Sequence, residues 1–261
     1  MLEKLLCSVL AATQLAISSA FLPSEKTEVP EPPSYIIHAA GNYSGLNSTN
    51  SLEALKNAYE KGNRYIELDF NFTSDFKPVC IHDWNHLVYS GYDGTKPTEE
   101  EFMLNNIYGI FTPMNLEIVA DFMIEHQDLY IITDVKDLNV FFSDYIRDHY
   151  PELMNRFVIQ VYHESEYEYV SKMGFENIIF SLYKLDWESK TDTASLVEFA
   201  TNNKLFGYTF PASLCDMEGY VSSLLDADVP LFIHTVNDKK EQQKYFEMGI
   251  SGIYTDNVTH N

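Results

Sequence analysis

The chain has 261 residues, of which 45% are hydrophobic, and its 39 Asp and Glu against 17 Lys and Arg give a formal net charge of -22. A core of one large domain is within reach of that length. The charge argues against a basic nucleic-acid surface and against broad adsorption to anionic lipid. Cys7, Cys80 and Cys215 have neither zinc-site spacing nor the density of a disulfide scaffold.

At the N-terminus, the apolar run Leu5 to Leu15 followed by Ser18-Ser19-Ala20 reads as a signal peptide over residues 1–20, although Glu3 and Thr13-Gln14 interrupt the usual pattern. The expectation is a secreted or cell-envelope protein, with a cytoplasmic one as the alternative. Leu5 to Leu22 is too polar to span a bilayer comfortably, so membrane association is expected only through this segment. Residues 21–34, with Pro30, Pro32 and Pro33 among glutamates, read as an extended linker.

From 35 to 261, short runs of β-formers alternate with amphipathic helical stretches. The strands are expected at Tyr35 to His38, Arg64 to Phe70, Pro78 to His82, Leu129 to Thr133, Phe157 to Val161, Asn177 to Ser181, Leu205 to Thr209, Leu231 to Val236 and Gly252 to Thr255. Helices are expected between them, among them Ser51 to Lys61 and Asp238 to Met248. The pattern is that of an α/β, TIM-type (β/α) barrel in a single domain, with one strand more than a barrel needs. Thr73 to Lys77 is too short for a helix, so the second and third strands form either a hairpin or an abbreviated crossover.

Polar residues sit at the expected strand ends: His38, Glu67 with Asp69, His82, and Asp134. In a barrel these converge on one mouth. Glu67 and Asp69 alternate along a strand and share a face, where two unpartnered carboxylates repel, and a hard divalent cation relieves that repulsion.

With these residues in place, the chain resembles the glycerophosphodiester phosphodiesterase family from about Tyr35 to its end. The family's opening His-Arg-Gly is matched by His38-Ala39-Ala40-Gly41, its Glu-Asn-Thr by Thr49-Asn50-Ser51, and its Glu-Leu-Asp by Glu67-Leu68-Asp69. His-Asp appears as His82-Asp83, Glu-x-Lys as Asp134-Val135-Lys136, and the closing strands as Thr235-Val236-Asn237 and Gly249 to Asp256. The resemblance implies one divalent cation, Mg²⁺ or Ca²⁺, on Glu67, Asp69 and Asp134, with His38 and His82 as acid and base. It implies hydrolysis of glycerophosphodiesters, small-molecule or lipid-derived, to glycerol 3-phosphate and an alcohol. Lys136 is expected to contact phosphate, and His234 to line the pocket where the family often has an aromatic residue.

Three departures stand out. Ala39 replaces the family's phosphate-contacting arginine, Thr49 replaces a glutamate, and Asp134 is a methylene shorter than the family's ligand. They leave open a related phospholipase C or sphingomyelinase D-type lipid phosphodiesterase, or a catalytically silent phosphoester-binding barrel. Glycoside hydrolysis by Glu67 and Asp134 would leave both histidines unexplained. The segment from Trp84 to Asn115 corresponds to the family's variable insertion after the third strand, its Tyr89, Tyr92, Phe102, Tyr108 and Phe111 serving either packing or recognition. Glu99-Glu100-Glu101 reads as a solvated helix start. His86, His126, His149, His163 and His260 read as surface or loop residues. Asn42, Asn47, Asn71 and Asn257 lie in glycosylation-acceptor patterns, Asn71 uncomfortably near the site.

Overall fold

The computed structural model describes residues 31–87 and 94–258. The signal-peptide reading of 1–20, most of the 21–34 linker, Tyr89, Tyr92 and His260 lie outside them. Nine strands are formed: β1 (Tyr35–Ile37), β2 (Tyr65–Phe72), β3 (Pro78–Cys80), β4 (Tyr130–Val135), β5 (Phe157–Val161), β6 (Ile178–Ser181), β7 (Gly207–Pro211), β8 (Leu231–His234) and β9 (Gly252–Thr255). Every strand except β3 runs parallel to its neighbours, and β1 pairs with both β9 and β2, which closes an eight-stranded barrel. β3 pairs antiparallel with β2, Phe70 opposite Cys80 and Phe72 opposite Pro78. The open choice between hairpin and crossover is thereby settled as a hairpin, and β3 is the surplus strand. β2 outruns its expected end because β3 supplies backbone partners for Asn71 and Phe72.

Helices cover the outside. The helix Leu52–Glu60 starts at Ser51, whose Oγ accepts the Ala54 N–H, and it buries Ala54, Leu55 and Ala58. The C-terminal helix Lys239–Glu247 is capped in the same way by Asp238. The acidic run opens a short helix, Glu99–Met103, through a reciprocal capping box between Thr98 and Glu101. Ser34, at the end of the linker, already accepts the Ile253 N–H.

The core has three parts. Ile36, Ile132, Val158, Ile179, Phe206, Phe232 and Tyr254 form a cluster drawn from strands around the ring and fill its interior. A larger layer, including Phe70, Phe142, Phe157, Tyr208 and Phe210, lies between strands and helices. A third cluster belongs to the insertion: Leu87, Phe102, Ile107 and Phe111 pack on Val79 and Ile81. Packing therefore accounts for Phe102 and Phe111. Because strands of a covered parallel barrel are buried on both faces, β2 is buried almost throughout, its apolar residues alternating with Glu67, Asp69 and Asn71.

Phe232 occupies the interior between two glycines. A Cβ on Gly252 would lie 2.1 Å from the Pro33 carbonyl oxygen and 2.9 Å from Phe232, and one on Gly207 2.5 Å from Phe232 and from the Pro230 carbonyl oxygen. Gly252→Ala should therefore lower the unfolding free energy by roughly 1–3 kcal/mol, the scale of overpacking a core. Urea denaturation measures this, and an unchanged midpoint would show that the barrel floor yields.

Candidate active site

Parallel pairing places Asp69 of β2 directly beside Asp134 of β4, so the carboxylates read from separate motifs become neighbours. One oxygen from each of Glu67, Asp69 and Asp134 lies within 4.8 Å of the others. Glu67 and Asp69 are 2% and 1% exposed, so water does not screen their repulsion. Lys136 answers part of it, its Nζ lying 2.6 Å from Asp69 Oδ1 and 2.7 Å from Asp134 Oδ2. One ammonium stands against three carboxylates.

Backbone and side-chain donors hold this cluster in place. Ala39 N–H donates to Glu67 Oε2 at 2.7 Å, and the Asn50 amide donates to Asp69 Oδ2 at 2.8 Å while accepting the Asp69 N–H at 3.0 Å. The Tyr162 hydroxyl donates to Asp134 Oδ1. Burial and then the Asp69 charge push the Glu67 carboxyl up to about 8. Burial also opposes the Asp134 charge, but Lys136 and the Tyr162 hydroxyl hold that carboxyl below the usual range. Among the described residues, Glu67 Oε1 is buried with no hydrogen-bond partner. A hard cation is the ligand such an oxygen set fits, and Glu67, Asp69 and Asp134 would hold it.

His38 begins a tight turn in which Ala39 and Ala40 adopt left-handed φ values of 47° and 64°. Its Nδ1 donates to Asp256 Oδ1 at 2.9 Å. Asp256 Oδ2 in turn accepts from the amides of Asn47 and Asn237, at 3.0 and 2.7 Å. Burial disfavours the imidazolium, but the Asp256 hydrogen bond and the charges of Glu67 and Asp69 prevail and raise His38 to about 9. His82 follows β3 on the hairpin, half-exposed, with Nδ1 3.3 Å from Asp83 Oδ2. His234 ends β8 with Nδ1 3.2 Å from Thr209 Oγ1, and burial lowers it to about 4, so it is neutral near pH 7.

A cavity of about 200 Å³ brings these groups together: His38, Glu67, His82, Asp134, Lys136 and His234 all line it. Tyr183 and Tyr254, which the sequence did not single out, complete its wall. Lys136 is committed to carboxylates rather than standing free for phosphate. Thr49 is buried with Oγ1 2.9 Å from Ser51 Oγ, inside the helix cap, and supplies no carboxylate to the cavity. Asn71 is 7% exposed, its amide nitrogen 3.4 Å from the His82 carbonyl oxygen. The glycosylation reading of Asn71 is therefore withdrawn, because a buried, hydrogen-bonded amide is out of a glycan's reach.

Residues 39–108 match the sequence model of the Glycerophosphoryl diester phosphodiesterase family. Over that segment the chain is similar to this family. No curated protein sequence matches. Among solved structures, the glycerophosphodiester phosphodiesterase from Thermotoga maritima is 21% identical with a TM-score of 0.68, the match covering 86% of this chain and 95% of that one. The enzyme from Parabacteroides distasonis is 18% identical at a TM-score of 0.66, covering 85% and 92%. A phosphodiesterase from Oleispira antarctica, in complex with the product sn-glycerol-3-phosphate, is 18% identical at 0.61, covering 86% and 93%. At these identities the structural likeness establishes the shared fold.

Two tests follow from the geometry. Between about pH 4.5 and 8 the metal-free folded protein keeps a proton on Glu67 that the unfolded chain has lost, so this group's contribution makes stability fall as pH rises. Cation uptake below pH 8 must expel that proton. Calorimetry of Mg²⁺ or Ca²⁺ binding at pH 6 in buffers of different ionisation enthalpy should show release of about one proton or more, and affinity should rise toward pH 8. Binding without proton release would remove Glu67 from the ligand set. Separately, Asp256→Asn removes the charge that supports the His38 imidazolium and replaces one acceptor oxygen by a donor, which breaks part of the frame made with His38, Asn47 and Asn237. It should lower turnover by roughly 10- to 100-fold, as loss of a ring-orienting partner does, with metal affinity unchanged.

Proposed function

We propose that this protein is a metal-dependent phosphodiester hydrolase that cleaves glycerophosphodiesters to glycerol 3-phosphate and an alcohol. The observation that carries the reading is a trio of carboxylates, two buried and one partly buried, of which Glu67 and Asp134 line one cavity together with His38 and His82. The family-model match over residues 39–108 supports the substrate class, and the Oleispira neighbour, solved in complex with the product sn-glycerol-3-phosphate, supports this product.

A cation on Glu67, Asp69 and Asp134 would polarise a phosphoryl oxygen and lower the pKa of an attacking hydroxyl. Ala39 N–H, Asn50 and Tyr162 each hold one oxygen of a carboxylate, and the remaining oxygens of Asp69 and Asp134 are bridged by Lys136, which a bound cation would displace or share. The glycerol 2-hydroxyl attacks phosphorus, one imidazole accepts its proton, and the other donates a proton to the departing alcohol oxygen as the bond to phosphorus breaks. Water then opens the cyclic phosphate. Asp256 holds His38 by Nδ1, which leaves Nε2 as the atom that exchanges protons in the cavity. Neutral His234 offers the substrate a hydrogen-bonding group without charge.

His38→Ala and His82→Ala should each lower turnover on an alkyl diester by about 10²-fold or more. A nitrophenyl ester, whose leaving group needs little protonation, should rescue only the variant lacking the general acid. Near-normal rates in both variants with metal bound would make the histidines structural and leave a phosphoester-binding barrel. Export is part of the proposal: mass spectrometry of protein from the native host should find a mature terminus near residue 21. An intact Met1 on cytoplasmic protein would overturn it.

A further inference from the structure

The substrate assigned above is an anion, yet the cavity's own positive charge is largely spoken for. Lys136 is held by Asp69 and Asp134, the cation-binding oxygens are carboxylates, and on the β1 side Ala39 is buried and carries no charge. Beside the proposed metal and the His38 imidazolium, which is paired with Asp256, a phosphodiester entering the mouth of a chain with net charge -22 gains from a side-chain cation not already committed.

One lysine meets that need. Tyr183, in the loop after β6, lines the cavity, and its ring stands edge-on to Tyr162 at 5.5 Å and to His234 at 5.9 Å. The loop is pinned from outside, because Lys190 Nζ donates to the Tyr183 carbonyl oxygen at 3.3 Å and Leu182 N–H donates to the Thr209 carbonyl oxygen at 2.8 Å. Lys184 follows, its Nζ 3.6 Å from the centre of the Tyr162 ring, the ring whose hydroxyl binds Asp134. Its one hydrogen bond among the described residues is a long one, 3.4 Å, to the Val135 carbonyl oxygen, and no carboxylate described lies within ion-pair distance. The Lys184 side chain is exposed and does not itself line the cavity, but its ammonium rests on the Tyr162 ring next to the carboxylate cluster, with no ion-pair partner among the described residues.

The geometry points to Lys184 as the residue that binds the substrate's phosphate, supplying from the β6 loop the positive charge that the β1 turn lacks. This rests on the phosphodiesterase reading. An ammonium on a long stem reaches a ligand by changing rotamer, and the Tyr162 face gives it a resting place when no phosphate is present.

The test measures binding of sn-glycerol 3-phosphate and of inorganic phosphate by calorimetry to the full chain in Mg²⁺, for wild type, Lys184→Met, Lys184→Arg and Lys96→Met. Lys96 also rests against an aromatic ring, that of Trp84 at 5.8 Å, and its loss removes the same unit of charge elsewhere. Lys184→Met should weaken both ligands about tenfold, the scale of one hydrogen bond to a charged group, with KM rising more than kcat falls. Lys184→Arg should retain most of the affinity, and Mg²⁺ binding and melting temperature should be unchanged in all three variants. If wild type binds the ligands and Lys184→Met binds them equally well, or if Lys96→Met weakens them as much, Lys184 has no specific role and the proposal fails alone. If wild type binds neither ligand, the phosphodiesterase reading fails and takes this one with it.

Discussion

Three carboxylates are buried together against one lysine, and most of the site follows from that imbalance. Removing anions from water is unfavourable, and placing them side by side compounds the cost. Every neighbouring group responds to it: a backbone N–H turned onto Glu67, an amide onto Asp69, a phenol onto Asp134, and an ammonium between two of them. These contacts still leave Glu67 Oε1 without a partner. A buried oxygen left in that state suits a cation's coordination shell, and the proposed metal would tie the architecture of β2 and β4 to the chemistry.

The same acidity organises His38. Asp256 lies 218 residues away in sequence, and only closure of the ring between β1 and β9 brings it to the imidazole. Asn47 and Asn237 then fix its second oxygen, so the first loop, the loop after β8 and the end of β9 meet at one carboxylate. The two barrel ends joined by the β1–β9 pairing are thus joined again at the candidate site, and it is this closure that brings Asp256 to the His38 ring.

Much of this could be read from the sequence, for identifiable reasons. Strands buried on both faces appear as dense runs of β-formers, and the parity of Glu67 and Asp69 fixes their common face without any tertiary information. Asn50, Asn237 and Asp256 were visible only as members of motifs. Their roles lie in hydrogen bonds between segments far apart in the chain, and one sequence carries no record of which segments meet. Lys136 was legible as a cation beside the site, but its pairing with carboxylates depends on the register of β2 against β4. Tyr183 and Lys184 stand in a loop with no motif, where nothing local separates a residue lining the cavity from one facing solvent.

β3 is not part of the ring. It carries the chain to His82 from a hairpin whose packing partners belong to the insertion, Leu87, Phe102, Ile107 and Phe111, rather than to the barrel interior. One imidazole is therefore built on the cylinder beside the carboxylate cluster and the other on an outrigger that is tied to the cylinder at Phe70 to Phe72 of β2 and packed on the insertion. That attachment lies beyond Glu67 and Asp69 in the strand, so a change in the length or aim of the outrigger would move His82 before it moved the carboxylates. Under the proposed mechanism, the side of the pocket that meets the leaving alcohol would be the part free to diversify.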